Sequence, residues 1–562
     1  MRETNMKKAI SMSKLLPVVM LALALLSAAT AHAAAPGITS SGTGGTGTFN
    51  LTARTAYLTQ PDGQSIYSWG YGCTTSAATF APAAIAAPSG GCAAMQVPGP
   101  TLIVTEGQPF SVTLTNNLPT SAGNTSILFP GFTVATSGGV TGLLTQEAAP
   151  GGFVTYNLTG FSAGTHSYYS GTQGDLQVEM GLYGAIIVLP SGVPAVCTSG
   201  LHATNLTAEG AHGESDFRLA NATGGVGAAY NHPQTCYDRE YLFQFSEMDP
   251  TIHTQALAQV TTKGACLVTN PICSLNVATE PYHPAYFMIN GRSMPDDMDP
   301  NYAIQYPHQP YNGNPHMHPG ELTLIRVIGQ GRWQHPFHEH GNHVRILGRD
   351  GNLILSASNT ATNPALAGPL QFTTTTTPGM AFDGIFYWTG KGLNWDAYGH
   401  HPNPTSTDST AKLPCTPDAN GYNTGAPTAI NYYEWCQDHN KPVQAAPFGD
   451  VAAGGPTTLP DANLFTNGAW YGGSPYLGPD ATLRATGCRA GTNAGTGAVN
   501  CGASGSTPPS GTIANSPSGE AGFAFMWHSH NEREITTNNI FPGGMLMMML
   551  VDSREFVIDE SN

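Results

Sequence analysis

Four histidines crowd one decapeptide, Gln334-His335-Pro336-Phe337-His338-Glu339-His340-Gly341-Asn342-His343. In extended backbone the side chains repeat every second residue, so His338 and His340 leave the chain on the same side. Two imidazoles on one face make a clamp for a metal ion. A second pair with the same spacing, His528 and His530, lies in Met526-Trp527-His528-Ser529-His530 and is entered from an apolar run. Either pair alone is equally compatible with histidines solvated on a strand face. Together they offer four neutral nitrogen donors, a set that suits Cu(II) first and Zn(II) or Ni(II) next. His335 is a further candidate ligand in the same decapeptide. Glu339 and Glu534 are candidate proton-handling or ligand-orienting acids, because a carboxylate can hold the second ring nitrogen of a ligating histidine; as solvated acids they would do neither. Met545, in the run that also holds Met547, Met548 and Met549, offers a soft thioether ligand, although a methionine run in a strand is more often core. His316-Met317-His318 is a second metal-handling candidate, with plain solvent exposure as its alternative.

The elements that must position these residues read as strands. Charged residues make up 10% of the 562-residue chain, against 67 Gly and 43 Pro, a mixture that favours short strands joined by turns over surface helices. Apolar or alternating runs recur at Thr48 to Leu58, Thr101 to Thr105, Phe110 to Thr115, Ser126 to Phe129, Phe153 to Leu158 and Gly184 to Leu189. Such spacing predicts an all-β Greek-key sandwich over 45–192. A polar, Gly-rich linker follows over 193–236. A second β-rich unit spans 237–562, from Glu240 through Phe287 to Asn290, Leu322 to Ile328, Val344 to Leu347 and Gln371 to Tyr387, and ends in the runs at Phe523 and Met545. Residues 390–520 interrupt it. That stretch carries four cysteines and aromatic clusters, so it reads as a folded, disulfide-containing insertion.

Residues 1–33 read as a secretory signal: Lys7, Lys8 and Lys14 precede an apolar run from Leu15 to Leu26, and Ala31-His32-Ala33 supplies the small residues of a cleavage site. That run is too short for a comfortable membrane span and no later one is longer. The expectation is export without a membrane span, to the periplasm or outside the cell. A formal net charge of −16 argues against a nucleic-acid partner. All ten cysteines follow the signal, an even number that in an oxidising compartment reads as five disulfides, with successive cysteines the favoured pairs.

Several motifs, in order, resemble the multicopper oxidase family. Val97-Pro98-Gly99-Pro100-Thr101-Leu102-Ile103-Val104-Thr105-Glu106-Gly107, followed by Thr113-Leu114-Thr115-Asn116-Asn117-Leu118, is similar to the family's first cupredoxin domain, and Gly181-Leu182-Tyr183-Gly184-Ala185 to the end of that domain. Phe287 to Arg292 resembles a later domain's opening. His335 to His343 resembles the His-Pro-x-His-x-His-Gly-His motif, with Asn342 at its last histidine, and His528 to Met545 resembles the closing His-Cys-His motif. The resemblance implies two cupredoxin-like domains, copper as cofactor, a small-molecule or metal-ion substrate, and the homo-trimers common among two-domain relatives.

The departures bear on the chemistry. No histidine stands in Ile127-Leu128-Phe129-Pro130-Gly131, where the first ligand pair belongs, and Tyr169 and Gly171 replace the second. Ser529 stands in place of the type 1 cysteine, Glu534 in place of the second type 1 histidine, and the axial methionine can be matched only to Met545. A serine hydroxyl cannot form the copper-thiolate bond that makes the site blue. Of the eight histidines of a trinuclear cluster, only His338, His340, His528 and His530 match. The expected function is therefore a secreted copper protein, an oxidoreductase with a mononuclear histidine-ligated copper and no blue type 1 site. The alternative is a non-catalytic copper-binding or structural cupredoxin protein.

Overall fold

A computed structural model describes residues 35–390 and 413–436, apart from 41–46, 220–226, 264–273, 358–363 and six residues between 76 and 89, together with 473–476, 522–552, 554 and 558. The proposed signal segment and most of the 390–520 insertion lie outside the described residues.

The first unit is built from β1 (Gly37–Thr39), β2 (Gly47–Thr59), β3 (Ser65–Cys73), β4 (Thr79–Ala81), β5 (Leu102–Thr105), β6 (Phe110–Asn116), β7 (Thr133–Gly138), β8 (Val140–Thr141), β9 (Gln146–Glu147), β10 (Phe153–Thr159), β11 (Gly164–Tyr169) and β12 (Tyr183–Leu189). Two five-stranded sheets, ordered β11-β12-β5-β1-β4 and β3-β2-β6-β10-β7, form a sandwich. Period-2 alternation shows in β6, whose Phe110, Val112 and Leu114 join the core between the sheets while Ser111 and Thr113 turn outward. The run Ser126 to Phe129 forms no strand; it makes a single bridge, Leu128 to Tyr169.

Short strands β13 (Gly227–Ala228) and β14 (Cys236–Tyr237) lead into the second unit. It comprises β15 (Arg239–Met248), β16 (Tyr286–Ile289), β17 (His316–Met317), β18 (Leu322–Gly329), β19 (His335–Glu339), β20 (Val344–Arg349), β21 (Asn352–Leu353), β22 (Leu370–Gln371), β23 (Thr373–Thr376), β24 (Ala381–Tyr387), β25 (Gly473–Tyr476), β26 (Gly522–Ser529) and β27 (Leu546–Asp552). One sheet runs β16-β15-β18-β24-β20-β21, with β22 on β20; the other runs β17-β27-β26-β19-β23, with β25 on β26. Their facing side chains, among them Phe243, Phe337, Phe386, Trp527 and Met547, make the second core.

All ten residues of β15 are buried, although half are polar. Its alternation explains this. Tyr241, Phe243 and Phe245 enter the second core, while Leu242 packs against Ile103, Ala185 and Ile187 of the first sandwich. On that interdomain side Gln244 bonds to Gln330, and Ser246 accepts a hydrogen bond from the Tyr183 hydroxyl. The strand is therefore sandwiched between two cores.

Two helices depart from the sequence expectation. Gly200–Ala211 lies in the stretch read as a linker, and Pro250–Lys263 follows β15 where only strands were expected. Neither shows a marked apolar face: in Pro250–Lys263 only Ile252, His253 and Ala256 are buried. Three disulfides, Cys73–Cys92, Cys197–Cys236 and Cys415–Cys436, join successive cysteines as expected. The other four cysteines lie outside the described residues. No described helix is long and apolar enough to cross a membrane.

Candidate metal centre

Antiparallel pairing of β19 with β26 sets His338 opposite His528, Phe337 opposite Ser529 and Glu339 opposite Trp527. Because side chains alternate, this register puts His338, His340 and His528 on the outer face and His335, Phe337, Glu339, Trp527 and Ser529 on the inner one. The phenylalanine and tryptophan belong inside, and their burial fixes the register that gathers the histidines outside.

Two segments almost two hundred residues apart thus converge. One ligand nitrogen or more from each of His338, His340 and His528 lies within 4.8 Å of the others. His528 Nε2 and His340 Nε2 are 3.3 Å apart. The His530 ring lies just past the end of β26, with its centroid 4.6 Å from that of His338 and 5.5 Å from that of His528. His338 Nδ1 pairs with Thr373 Oγ1 at 2.5 Å, and His528 Nδ1 donates to the Ser529 carbonyl at 2.7 Å. In both rings this leaves Nε2 as the nitrogen suited to ligation. Burial, and then the neighbouring His340, His530 and His528, lower the His338 imidazole to about 3. Burial likewise lowers His528. Both rings are neutral at pH 7, the form that binds a metal. His338 and His528 are buried while His530 is exposed, so the centre is open on one side. Neutral imidazole donors with no carboxylate among them fit copper.

The other candidates lie elsewhere. His335 does not join the cluster: its Nε2 meets Glu247 Oε2 at 3.0 Å and its Nδ1 meets Glu534 Oε2 at 2.8 Å, all fully buried. Burial alone would lower this imidazole, but the hydrogen bonds and charges of Glu247 and Glu534 raise it to about 9. A charged ring with both nitrogens engaged is no metal ligand. Met545 is likewise inner-face, packed in the second core. Glu534 sits beneath the inner surface, accepting from Ser529 Oγ at 2.5 Å. Glu339 is fully buried on the inner face with neither carboxylate oxygen hydrogen-bonded, and burial holds its carboxyl well above the usual range. It makes no hydrogen bond to a histidine of the cluster. Thus Ser529, Glu534, His335 and Met545 do come together where a type 1 site was matched, but as a network of hydrogen bonds.

That network runs on. Glu247 Oε1 accepts from Tyr282 Oη at 3.2 Å, and the same hydroxyl donates to Glu179 Oε2 of the first unit at 2.7 Å. Neither Glu247 nor Thr373 was singled out from sequence. The only signal for Glu247 was an acid at an apolar phase of a strand, and Thr373 carried none. His316 and His318 are not solvent-exposed as the alternative reading held. They are buried, with His316 Nδ1 2.7 Å from Asp552 Oδ2 and His318 Nε2 2.7 Å from Glu214 Oε1, contacts that tie the C-terminal strand and the 214 region to this part of the second unit.

In the first unit the segment without histidines forms a groove of about 580 Å³ of mixed character, lined by Leu128, Phe129, Leu143 and Leu144 but also by Thr136, Thr145 and Gln146.

Residues 87–192 match the family model described as multicopper oxidase. The match lies within the first unit, and the description of that family implies copper as cofactor; the histidine cluster lies outside the matched residues. Among solved structures, a multicopper oxidase named mgLAC is 15% identical, with 90% of this chain and 86% of that one covered and a TM-score of 0.40. A blue copper oxidase from Nitrosomonas europaea is 13% identical, covering 90% and 85% with a TM-score of 0.41. A copper nitrite reductase from Nitrosomonas europaea is 17% identical, covering 61% and 84% with a TM-score of 0.35. No curated protein matches the chain in sequence.

Proposed function

We propose that this chain is an exported oxidoreductase that holds a single copper ion on His338, His340, His528 and His530. Its substrate is a small reductant or a metal ion that reaches the centre at the exposed His530 side. The observation that carries this reading is the convergence of three ligand nitrogens within 4.8 Å. Copper, when bound, supplies a one-electron couple. The chain's part is to bind and orient: Thr373 and the Ser529 carbonyl hold the Nδ1 sides of two rings, and Phe372 packs against the His338 ring at 5.7 Å. The trimer is the assembly we favour. The first unit offers two exposed apolar side chains, Leu143 and Leu144, 93% and 64% exposed, at the rim of a groove, and beside it β7 is exposed along its whole length, which is an unguarded sheet edge.

A second reading, a copper-binding protein without turnover, is favoured by one observation: the buried network at Ser529, Glu534 and His335 leaves no metal to relay electrons. Cu(II) titration followed by metal analysis separates the possibilities. One copper per chain is expected, with loss of tight binding, at least about 100-fold, in both the His338→Ala/His340→Ala and the His528→Ala/His530→Ala variants. Binding that survives either double change removes the shared site. Binding without oxidation of any reductant leaves the second reading.

A further inference from the structure

His530 is held differently from His338 and His528. The rings of His338 and His528 each have an Nδ1 partner, whereas no described hydrogen bond reaches the His530 ring, which is exposed and lies beyond the end of β26. Its position depends on the backbone that flanks it. Both flanking residues are tied to one carboxylate: Ser529 Oγ donates to Glu534 Oε2 at 2.5 Å, and Asn531 Nδ2 donates to Glu534 Oε1 at 2.9 Å. The backbone repeats the tie, with Glu534 N donating to the Asn531 carbonyl at 2.8 Å and Met545 N to the Glu534 carbonyl at 2.8 Å.

The carboxylate is itself immobilised. Glu534 Oε2 also meets His335 Nδ1, and His335 Nε2 is fixed by Glu247 on β15, so the clamp is anchored to a strand buried on both faces. On the outer side the His530 amide donates to the Pro336 carbonyl at 2.8 Å, which pins the same turn to β19.

We propose that Glu534 is the positioning residue for His530, gripping residues 529 and 531 from the inner face so that the ring between them is presented to the metal on the outer face. This rests on the copper-site reading above and adds to it a division of labour. His338 and His528 are placed by the strand ladder, His340 lies one residue past the end of β19 with its amide donating to the Met526 carbonyl at 3.3 Å, and His530 is placed by a carboxylate. An acid here serves better than an apolar side chain because it accepts from both flanking side chains at once, one on each oxygen.

The test is a double-mutant cycle on Cu(II) affinity in the full chain, read together with the nitrogen hyperfine pattern in the electron paramagnetic resonance spectrum. Glu534→Ala should weaken Cu(II) binding by about 10- to 100-fold and remove one nitrogen from the pattern, as His530→Ala does. The pair of changes together should weaken binding no further than the stronger single change. Glu534→Gln, which keeps one acceptor oxygen, should fall between wild type and Glu534→Ala. Should Glu534→Ala fail to fold, Asn531→Ala, at an exposed position, cuts one arm of the clamp; it should cause a smaller loss that vanishes in the His530→Ala background. Additive losses, or an unchanged nitrogen count in Glu534→Ala, overturn the proposal while leaving the copper site standing. A wild-type protein that takes up no Cu(II) overturns both.

Discussion

The strand pair β19 and β26 carries histidines on both faces, and the two faces treat them in opposite ways. On the outer face no carboxylate is hydrogen-bonded to His338 or His528; burial and then neighbouring imidazoles lower His338 to about 3, and burial lowers His528 although Glu532 acts the other way. On the inner face His335, three residues from His338, is bracketed by Glu247 and Glu534 and raised to about 9. The residue type is the same and so is the sheet. What differs is whether a carboxylate or another imidazole occupies the space beside the ring. A neutral cluster has lone pairs to offer a metal, whereas a clamped imidazolium has none. The comparison teaches that proximity in a histidine-rich motif says little about ligation until the face of the strand is known.

Removing the inner ring is the largest way to sharpen that comparison. His335→Leu leaves two buried carboxylates without their cation, and breaking a buried pair of this kind costs about 3 to 5 kcal/mol. The pH dependence should change with it. The folded-state value of about 9 lies above the ~6.5 of an unfolded histidine, so the stabilisation from His335 is complete below pH ~6.5 and is lost as pH rises through 9. That loss amounts to about 3 kcal/mol. Urea midpoints at pH 6 and pH 9.5 check this: the wild type should weaken across the interval, and His335→Leu should not show that part of the slope. Equal slopes would mean that the ring is not charged in the folded protein.

Ser529→Cys tests the same face with a smaller effect. The thiol replaces a hydroxyl bonded at 2.5 Å to Glu534, a charge-assisted bond worth about 2 kcal/mol. Stability should drop by that order. The new thiol would meet Glu534 and the occupied His335, not two available imidazoles, so copper loading should produce no intense blue absorption. A strong visible thiolate band would show that the inner network yields to copper and that the two faces are not distinct.

Much of this was legible in the sequence, and the limits follow a pattern. Both His-x-His pairs, their convergence, the two sandwiches and the three observed cysteine pairs follow from short-range spacing or motif order. The face of His335 was equally implied by odd and even numbering, since residue 335 shares its phase with Phe337 and Glu339; grouping it with His338 followed the motif and not the period. Glu247 and Thr373 were not legible, because their partners His335 and His338 are 88 and 35 residues away and nothing local marks a hydrogen bond to another sheet, as for Glu247, or to a neighbouring strand, as for Thr373. The helices at Gly200–Ala211 and Pro250–Lys263 were missed because tertiary contacts, and not a strong apolar stripe, hold them. His316 and His318 were read as exposed because their acids, Asp552 and Glu214, are remote in sequence.

The smallest expected effect concerns Glu339, the inner-face residue between the two outer histidines. Its side chain is fully buried opposite Trp527, without a hydrogen-bond partner for either oxygen, and burial holds its carboxyl well above the usual range. An unmade hydrogen bond in such a place costs about 1 kcal/mol or more. Methionine has a similar reach, carries no strong polar group and adapts to irregular core space. Glu339→Met should therefore raise the urea midpoint, with a gain of about 1 kcal/mol, and should leave Cu(II) affinity within about twofold, because strand alternation aims residue 339 away from the histidine cluster. A tenfold or greater loss of Cu(II) affinity in this variant would mean that a group on the inner face acts directly on the outer one, and the separation of the two faces would not hold.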